Sequence, residues 1–398
     1  MTLTRFLITL CVVCMYCVPN LALAKPGNQG ARGLNAEAME ELITAGVDKY
    51  MGKFDPMQSE SLGDGWVKHT FDTEGGDGPT CIAETPFSAF TKAGNPAKLM
   101  IFLQGGGACW QDFYNCNLFS DELPPPLAYP ASGIWVDEFE TETQTLSNPL
   151  ADWSVVYAPY CDGSIWIGDN EVEDPVFNFY LGSNRHHRGL RNLTATVDLA
   201  RSSFPNAGRI LIAGSSAGGF GASTFAPFLA RFAWGNTEKI MVFNDAGPML
   251  FNPDELDAIQ TRADDWQFGQ FFPESCSECS DTTQLIELVK WRLSNDTTVR
   301  EALYTTDGDY TIRWFNNIGT QEEYRNLILT EHDPVNDAFP NRYKRFIRSG
   351  DGGHTALQGP TFYLNEVDGI PLDVWTADFL VPRPFWVDLV EDYIPLPE

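Results

Sequence analysis

The chain has 398 residues, of which 43% are hydrophobic and 13% aromatic, so it is long enough to bury one large core. Acidic residues number 54 against 26 basic ones and are spread along the chain, which gives a formal net charge of -28. A surface of that sign repels nucleic acid and other polyanions, so a nucleic-acid-binding function is excluded.

The first 24 residues have the pattern of a cleavable secretory signal. An early Arg5 precedes an apolar run over residues 6–18, and small residues precede Lys25. The run is shorter than the roughly 20 residues of a membrane-spanning helix, and no later stretch reaches that length. We predict a signal peptide over residues 1–24, one domain over residues 25–398, and a secreted protein, extracellular or periplasmic, without stable membrane insertion.

Removal of that segment leaves six cysteines in an oxidising compartment, and an even set of this kind indicates disulfide bonds. The six are Cys81, Cys109, Cys116, Cys161, Cys276 and Cys279. The pair in "CSEC" is predicted to form a short-loop disulfide, because neither a βαβ context nor a nearby histidine supports a redox pair or a zinc site.

Short apolar runs that end in glycine or polar residues recur along the chain. They are "LMIFLQGGG", "WSVVYAPYCDG", "RILIAGSSAGG", "KIMVFNDAG" and "YKRFIRSGDGG". Each is predicted to be a buried parallel strand that leads into a functional loop. Two helices are predicted between these runs. One is indicated by the helical spacing in "HHRGLRNLTATVDLARSSFPN", and the other follows Gly218 and has a kink or early end at Pro227. The pattern predicts a doubly wound, mostly parallel α/β sheet with helices on both faces and active residues at its carboxyl edge.

Two adjacent serines lie among glycines in "LIAGSSAGGFGAS", directly after a predicted strand. Ser216 fits the nucleophile-elbow pattern G-x-S-x-G, flanked by Gly214 and Gly218, in which glycines let a strand reverse into a helix. Ser215 does not fit, because alanines occupy positions 213 and 217. Ser216 is therefore the predicted nucleophile.

A serine hydroxyl needs a base, and in this architecture the chain order is serine, acid, histidine. His354 follows an apolar strand and lies beside glycines in "RFIRSGDGGHTAL", so it is the predicted base. His332 lies in the polar segment "LTEHDPVND" and is predicted to be a surface histidine.

The acid should follow a strand between the serine and the histidine. The segment "ALYTTDGDYTIRWF" supplies Asp307 and Asp309, and Asp245 ends the preceding strand in "VFNDAG". We prefer Asp309, with Asp307 second and Asp245 third. The carboxylates that are not the acid are interpreted as turn or pocket residues.

An attacked carbonyl needs about two backbone N–H donors for its oxyanion. Ala217 follows the nucleophile and supplies one, and the glycine loop in "LQGGGACW" supplies the other from Gly106 and Gly107. Trp110 in the same loop is expected, together with Asp245, to line the substrate pocket.

Taken in order, "LQGGGACWQDFYNC", "YAPYCDGSIWIGD", "HHRGL", "GSSAGGFG", "NDAG", "TTDGD" and "GDGGHTAL" resemble the pectin acetylesterase and Notum family of serine carboxylesterases. The resemblance covers about Leu99 to Leu357 and implies an α/β-hydrolase-like catalytic domain over residues 25–398. It implies Ser216 as nucleophile, Asp309 as acid and His354 as base, with Gly106, Gly107 and Ala217 as oxyanion donors.

The resemblance also implies two disulfide bonds, Cys109–Cys116 and Cys81–Cys161, which leaves Cys276 with Cys279. The chain departs from the family in having two aspartates, Asp307 and Asp309, where other members keep one. It departs again in "PMLFNPDE" after "NDAG", so the acyl pocket cannot be carried over.

The reaction implied by the resemblance is hydrolysis of an oxygen ester through an acyl-Ser216 intermediate, with no metal and no organic cofactor. Arg185, Arg188 and Arg191 are the only dense basic cluster near the motifs, which favours a neutral or highly esterified glycan over the polyanion of de-esterified pectin. The predicted function is removal of an acetyl or short acyl group from a glycan or another small ester.

Two alternatives remain open. A lipase, fatty-acyl or polyester hydrolase is favoured if the aromatic-rich segment "DDWQFGQFFPE", residues 264–274, forms a lid rather than packing in the core. An inactive glycan-binding or adhesion protein is disfavoured by the intact set of candidate catalytic residues. The oligomeric state is not predicted.

Overall fold

The structure is a computed structural model that describes residues 32–72, 77–236, 238–381 and 384–397, all within one compact unit. The predicted signal peptide, residues 1–24, lies outside the described residues, as does the predicted start of the domain over residues 25–31.

Among the described residues, ten strands form the central sheet, and the other strands form two-stranded ribbons. In chain order the strands are β1 (Pro56–Gly63), β2 (Trp66–Phe71), β3 (Ser88–Lys92), β4 (Asn95–Leu103), β5 (Gly107–Trp110), β6 (Phe113–Cys116), β7 (Glu138–Glu140), β8 (Thr145–Ser147), β9 (Trp153–Ala158), β10 (Asn170–Val172), β11 (Arg185–His187), β12 (Arg209–Ser215), β13 (Lys239–Asp245), β14 (Arg300–Thr306), β15 (Tyr343–Arg348), β16 (Glu366–Val367), β17 (Ile370–Pro371) and β18 (Leu389–Val390).

The order of the central sheet is β1-β2-β3-β9-β4-β12-β13-β14-β15-β18. Seven neighbouring strands of this sheet run parallel to one another. They are β9, β4, β12, β13, β14, β15 and β18. β1, β2 and β3 add an antiparallel edge that the sequence patterns did not predict. β1, at the end of the sheet, is largely exposed, and its pairing with β2 is interrupted by two irregularities in register.

Helices surround this sheet. They are α1 (Ala36–Thr44), α2 (Pro125–Ala128), α3 (Pro175–Leu181), α4 (Gly189–Ser203), α5 (Ala217–Ser223), α6 (Ala226–Trp234), α7 (Leu256–Trp266), α8 (Ile286–Asn295), α9 (Tyr310–Phe315), α10 (Gln321–Ala338), α11 (Thr361–Leu364) and α12 (Leu372–Leu380), with short 3₁₀ turns at Gly133–Trp135 and Phe268–Phe271. Within the described ranges, no helix is long and apolar enough to cross a membrane.

Alternation along the central strands produces two cores. In β4, Leu99, Ile101 and Leu103 join a cluster with α4 and α6, whereas Met100 and Phe102 join a second cluster with α12. Successive side chains of a strand point to opposite faces, so the two clusters lie on opposite faces of the sheet. The predicted mostly parallel sheet with helices on both faces is therefore confirmed, and each of the five predicted runs overlaps one of its strands.

His332 corrects one prediction. It is fully buried on α10, where Nε2–H donates to the carbonyl oxygen of Pro248 at 2.8 Å and Nδ1 accepts from the hydroxyl of Tyr343 at 2.5 Å. The prediction of a surface histidine is wrong, because the polar segment is one face of a helix whose inner face is in the core. Burial lowers the pKa of His332 to about 3.

Disulfide bonds join Cys81 to Cys161, Cys109 to Cys116, and Cys276 to Cys279. The second bond closes the β5–β6 hairpin beside the glycine loop.

The aromatic-rich segment, residues 264–274, packs inward, since Trp266, Phe268 and Phe271 are each about 1% exposed. Core packing rather than a lid is the arrangement observed.

Candidate active site

Ser216 occupies a strained turn between β12 and α5. Its backbone has φ 57° and ψ -122°, a combination rarely adopted by a residue with a side chain. A Cβ on Gly214 would lie 2.1 Å from the carbonyl oxygen of Gly218, and one on Gly218 would lie 1.9 Å from that of Leu103. The two flanking glycines are therefore what lets the strand reverse into the helix and present Ser216 at the carboxyl edge of the sheet.

His354 and Asp309 are hydrogen-bonded to each other. His354 follows β15, and its Nδ1–H donates to Asp309 Oδ2 at 2.6 Å. Asp309 follows β14 and is fully buried, and its other carboxylate oxygen accepts from the backbone N–H of Ile312 at the start of α9. His354 Nε2 is buried and has no hydrogen-bond partner among the described residues. This arrangement leaves Nε2 free to accept a proton.

Asp307 is engaged elsewhere. One carboxylate oxygen accepts from Gln321 at 2.7 Å, and the other from Arg325 at 2.6 Å and Ser349 at 2.7 Å. Asp307 is thus a buried ion-pair partner that holds α10 against the loop after β15.

Asp245 connects the serine turn to the histidine loop. Its buried carboxylate accepts from the hydroxyl of Ser215 at 2.6 Å and from the backbone N–H groups of Ala356 and Leu357 at 2.9 and 3.0 Å. Burial raises the pKa of Asp245, against the effect of these donors. The expectation that Asp245 lines the substrate pocket is not met at this cavity, because its side chain is fully buried and is not among the lining residues.

The glycine loop lies directly on the serine turn. A Cβ on Gly105 would lie 2.7 Å from Ser216 Cβ, so the two segments are in close contact. Gly107, which has φ 79°, and Ala217 line the same cavity as Ser216. Gly106 lies next to them and packs on Asn117. The structure therefore brings the predicted oxyanion donors close to the predicted nucleophile.

A small cavity of about 40 Å³ opens beside Ser216. Most of its wall is apolar. The lining residues are Gly107, Ala108, Trp110, Ile165, Ser216, Ala217, Phe220, Phe251, Arg262, Trp266, Ile312, Phe315 and Asn316. Trp110 lies on the wall as expected, stacked on Phe113.

The basic cluster of the sequence is internally paired. Arg185 is fully buried between Asp174 and Asp265, at 2.7 and 2.6 Å. Arg191 pairs with Asp169 at 2.8 Å, and Arg188 is 5% exposed. These arginines are buried or ion-paired within the fold and do not form an open basic cleft.

Several wall residues were not singled out from the sequence. Phe251 comes from the segment after "NDAG" that departs from the family, Arg262 and Trp266 come from α7, and Ile312 and Phe315 come from α9. Only Trp266 lay in a segment that composition had marked as unusual.

In the described part of the chain, no group of three histidine, cysteine or carboxylate side chains is placed to hold a metal ion.

A family model described as Pectinacetylesterase matches residues 77–280, just over half of the chain. The chain belongs to the pectinacetylesterase family. The match includes the glycine loop and Ser216 but ends before Asp309 and His354.

Two curated relatives align with part of this pectinacetylesterase family member. A palmitoleoyl-protein carboxylesterase notum1a of Danio rerio is 30% identical over 149 residues, which is 36% of this chain and 28% of the relative. A pectin acetylesterase 7 of Arabidopsis thaliana is 25% identical over 160 residues, 39% of this chain and 38% of the relative. The aligned segments thus span less than two fifths of either relative.

A solved structure shares the fold. The Wnt deacylase Notum from Drosophila superposes with a TM-score of 0.55 at 16% identity, covering 78% of this chain and 93% of the other. The α/β-hydrolase-like fold implied by the motifs is confirmed by this likeness and by the sheet order.

Proposed function

We propose that the protein is a serine carboxylesterase that hydrolyses an oxygen ester through an acyl-Ser216 intermediate. The observation that carries the proposal is the strained Ser216 turn, which opens onto a cavity and is tied through Asp245 to the loop that bears His354, itself hydrogen-bonded to Asp309. Membership of the pectinacetylesterase family supports the same reaction class.

Each group in the site has a chemical task in this proposal. His354 Nε2 takes the proton of Ser216 as its oxygen attacks the ester carbonyl, then returns that proton to the leaving alcohol. Asp309 holds the Nδ1 tautomer and stabilises the imidazolium that forms. The amides of Ala217 and the Gly106–Gly107 loop stabilise the oxyanion, and water activated by His354 then releases the acid.

The substrate we propose is an acetyl or short acyl ester on a glycan. Exposed rings support a sugar as the alcohol part: Tyr310 and Trp314 are more than half exposed on α9, which begins directly after Asp309. Apolar ring faces of this kind can cover the C–H face of a sugar. The relatives named above for pectin acetyl and protein palmitoleoyl esters show that the acyl group is not fixed by the family.

A second candidate, hydrolysis of longer acyl or polyester chains, is favoured by the cavity. Its wall is largely aromatic, which matches an apolar chain better than an acetyl group alone. The inactive glycan-binding alternative has no such observation in its favour, since it leaves the free Nε2 of His354 and the strain at Ser216 without a role.

The test is hydrolysis of a chain-length series of p-nitrophenyl esters by the purified protein beside Ser216→Ala. We expect turnover that the substitution abolishes, and the chain-length optimum separates acetyl from long-chain activity. If both proteins fold and neither hydrolyses any p-nitrophenyl ester or acetylated glycan, the esterase proposal fails and the binding-protein alternative takes its place.

We also propose that the protein is exported after cleavage behind Ala24. The disulfide bonds support this, because such bonds persist in oxidising compartments. The N-terminal residue of protein recovered from outside the producing cells should be Lys25. An uncleaved N-terminus, with the protein retained in the cell, would contradict the proposal.

A further inference from the structure

Arg262 is a buried cation on the wall of the cavity that Ser216 lines. It lies on α7 with only 4% of its surface exposed, and its guanidinium lies over the rings of Trp110 and Phe251, 4.8 and 4.6 Å from their centroids. Burial of a cation is unfavourable unless opposite charge or hydrogen bonds compensate it.

Compensation is incomplete at this position. The five other buried arginines of the described chain each pair with a carboxylate, namely Arg185, Arg188, Arg231, Arg292 and Arg345. No described carboxylate lies within the 4 Å ion-pair distance of Arg262. The cavity therefore has one fixed positive charge without a protein counter-ion on its wall.

The donors of the guanidinium are also only partly used. Its Nε–H donates to the carbonyl oxygen of Ala258 at 3.0 Å, and Nη1 has only a long contact of 3.4 Å with Asn316. Nη2 is buried and has no hydrogen-bond partner among the described residues. The nearby Glu255 is bonded instead by Asn317, at 2.6 Å. Burial lowers the pKa of Arg262 to about 10, so the side chain is still cationic at neutral pH.

We propose that Arg262 binds a carboxylate carried by the acyl group of the substrate. The preferred substrates are then half-esters of dicarboxylic acids, with one carboxyl esterified and the other free. This inference rests on the proposed function, because it assumes that the acyl chain on Ser216 occupies this cavity.

The walls favour an acyl chain over a sugar as the carrier of that carboxylate. A sugar would place several hydroxyl groups against the rings of Trp110, Phe220 and Phe315, where they find few hydrogen-bond partners. A methylene chain matches the rings, and a single terminal carboxylate matches the single guanidinium. Arginine presents two parallel N–H groups to a carboxylate, a stronger pairing than a neutral hydrogen bond.

The reaction itself is unchanged by this recognition. Ser216 Oγ bonds to the ester carbonyl carbon, the alcohol leaves with the proton from His354, and water releases the dicarboxylate. The free carboxylate stays ionised throughout and takes no part in bond making.

The experiment compares acyl chains of equal length with and without a terminal carboxylate. Mono-p-nitrophenyl adipate and suberate are paired with p-nitrophenyl hexanoate and octanoate, using wild type, Arg262→Lys, Arg262→Met and the control Arg201→Met. Arg201 is an exposed arginine at the end of α4. Its replacement by Met therefore removes the same positive charge as Arg262→Met without changing the cavity. For at least one pair, we expect wild type to favour the carboxylate by about 10- to 100-fold in kcat/KM.

Arg262→Met should reverse that preference, Arg262→Lys should keep part of it, and Arg201→Met should keep all of it. Equal or lower activity on both half-esters in wild type, with normal turnover of the neutral esters, would overturn this inference and leave the esterase proposal standing. No turnover of any ester by folded protein would overturn both.

A binding measurement covers the case in which the Met variant loses activity by misfolding. Ser216→Ala protein, with and without Arg262→Lys, is titrated with monomethyl adipate and methyl hexanoate, and tryptophan fluorescence reports through Trp110 and Trp266 on the wall. We expect tighter binding of the half-ester, weakened by Arg262→Lys. If Arg262 variants instead affect only acetylated galacturonic acid against its methyl ester, the carboxylate belongs to the alcohol part, and the acyl assignment is overturned.

Discussion

Asp309 uses its two carboxylate oxygens for two different segments, one for the His354 ring and the other for the backbone at the start of α9. Replacing Asp309 by Asn removes the carboxylate charge and adds an amide N–H donor, which favours the wrong imidazole tautomer. We expect Asp309→Asn to lower kcat on p-nitrophenyl esters by on the order of 10³ to 10⁴, as the same change does in serine-protease triads.

The matched control is Asp307→Asn, two residues away. Its carboxylate pairs with Arg325 rather than with the histidine, so we expect a loss of stability of about 3 kcal/mol with less than a tenfold change in kcat. A large loss of kcat in Asp307→Asn, with Asp309→Asn active, would exchange the roles of the two aspartates.

Asp162 makes a pH-dependent contribution to stability. It is fully buried, and its Oδ2 has no hydrogen-bond partner among the described residues, so burial raises its pKa to about 6, above the value of about 3.9 in an unfolded chain. The native state therefore holds a proton that the unfolded state loses between those values. Stability from this group is full below about pH 4 and is lost as the pH rises through 6.

The comparison that isolates this effect is wild type against Asp162→Asn in urea denaturation. We expect the unfolding free energy of wild type, relative to the variant, to fall by about 2 kcal/mol between pH 4 and pH 7. A difference that stays constant over this range would show that Asp162 is ionised throughout.

At the scale of elements, α5 lies unusually close to its neighbours. A Cβ on Gly221 would lie 2.6 Å from Cβ of the buried Trp166, so the tryptophan would have to shift. We expect Gly221→Ala to lower the free energy of unfolding by about 1–3 kcal/mol through overpacking. Chemical denaturation monitored by fluorescence measures the change.

Gly208→Ala is the control for that substitution. Nothing lies within 4 Å of the position its Cβ would take, and its φ is in the ordinary range. The change should stay within about 0.5 kcal/mol. If both substitutions lower the free energy of unfolding equally, the close contact between α5 and Trp166 is not the reason for glycine at position 221.

The parallel strands and the serine turn were predictable because each rests on a local pattern. An apolar run followed by glycine identifies β4 and β12, and G-x-S-x-G identifies the turn without any knowledge of the neighbours. The position of Asp245 was not predictable, because a carboxylate at a strand end looks the same in sequence whether it faces a pocket or a buried pair of amides. The position of Arg262 on the cavity wall was not predictable either, because it depends on which rings α7 and the loop after β13 place around the guanidinium.

At the scale of the whole molecule, several arginines are buried in ion pairs within the core. Arg231 pairs with Asp296 and Arg292 with Glu301, both out of contact with water, so these pairs leave the net negative charge to the surface. With a net charge of -28, like charges repel one another over the folded surface.

Screening of this repulsion should be measurable. Raising NaCl from about 10 to about 150 mM shortens the Debye length from about 30 to about 8 Å, and we expect Tm at pH 7 to rise by a few degrees. The same salt step near the isoelectric point of about 4.4 should leave Tm nearly unchanged. An equal rise at both pH values would assign the effect to general salting-out instead.

The exposed edge of the central sheet has a consequence for handling the protein. β1 presents backbone groups to solvent, yet its register is irregular at both ends, between Pro56 and Gln58 and between Ser61 and Gly63, and Glu60 lies between them. Bulges, proline and charge at an edge keep a second strand from adding to it. Concentrated solutions should therefore resist intermolecular β-sheet aggregation, and that resistance resides in a few residues far from the core that decides thermal stability.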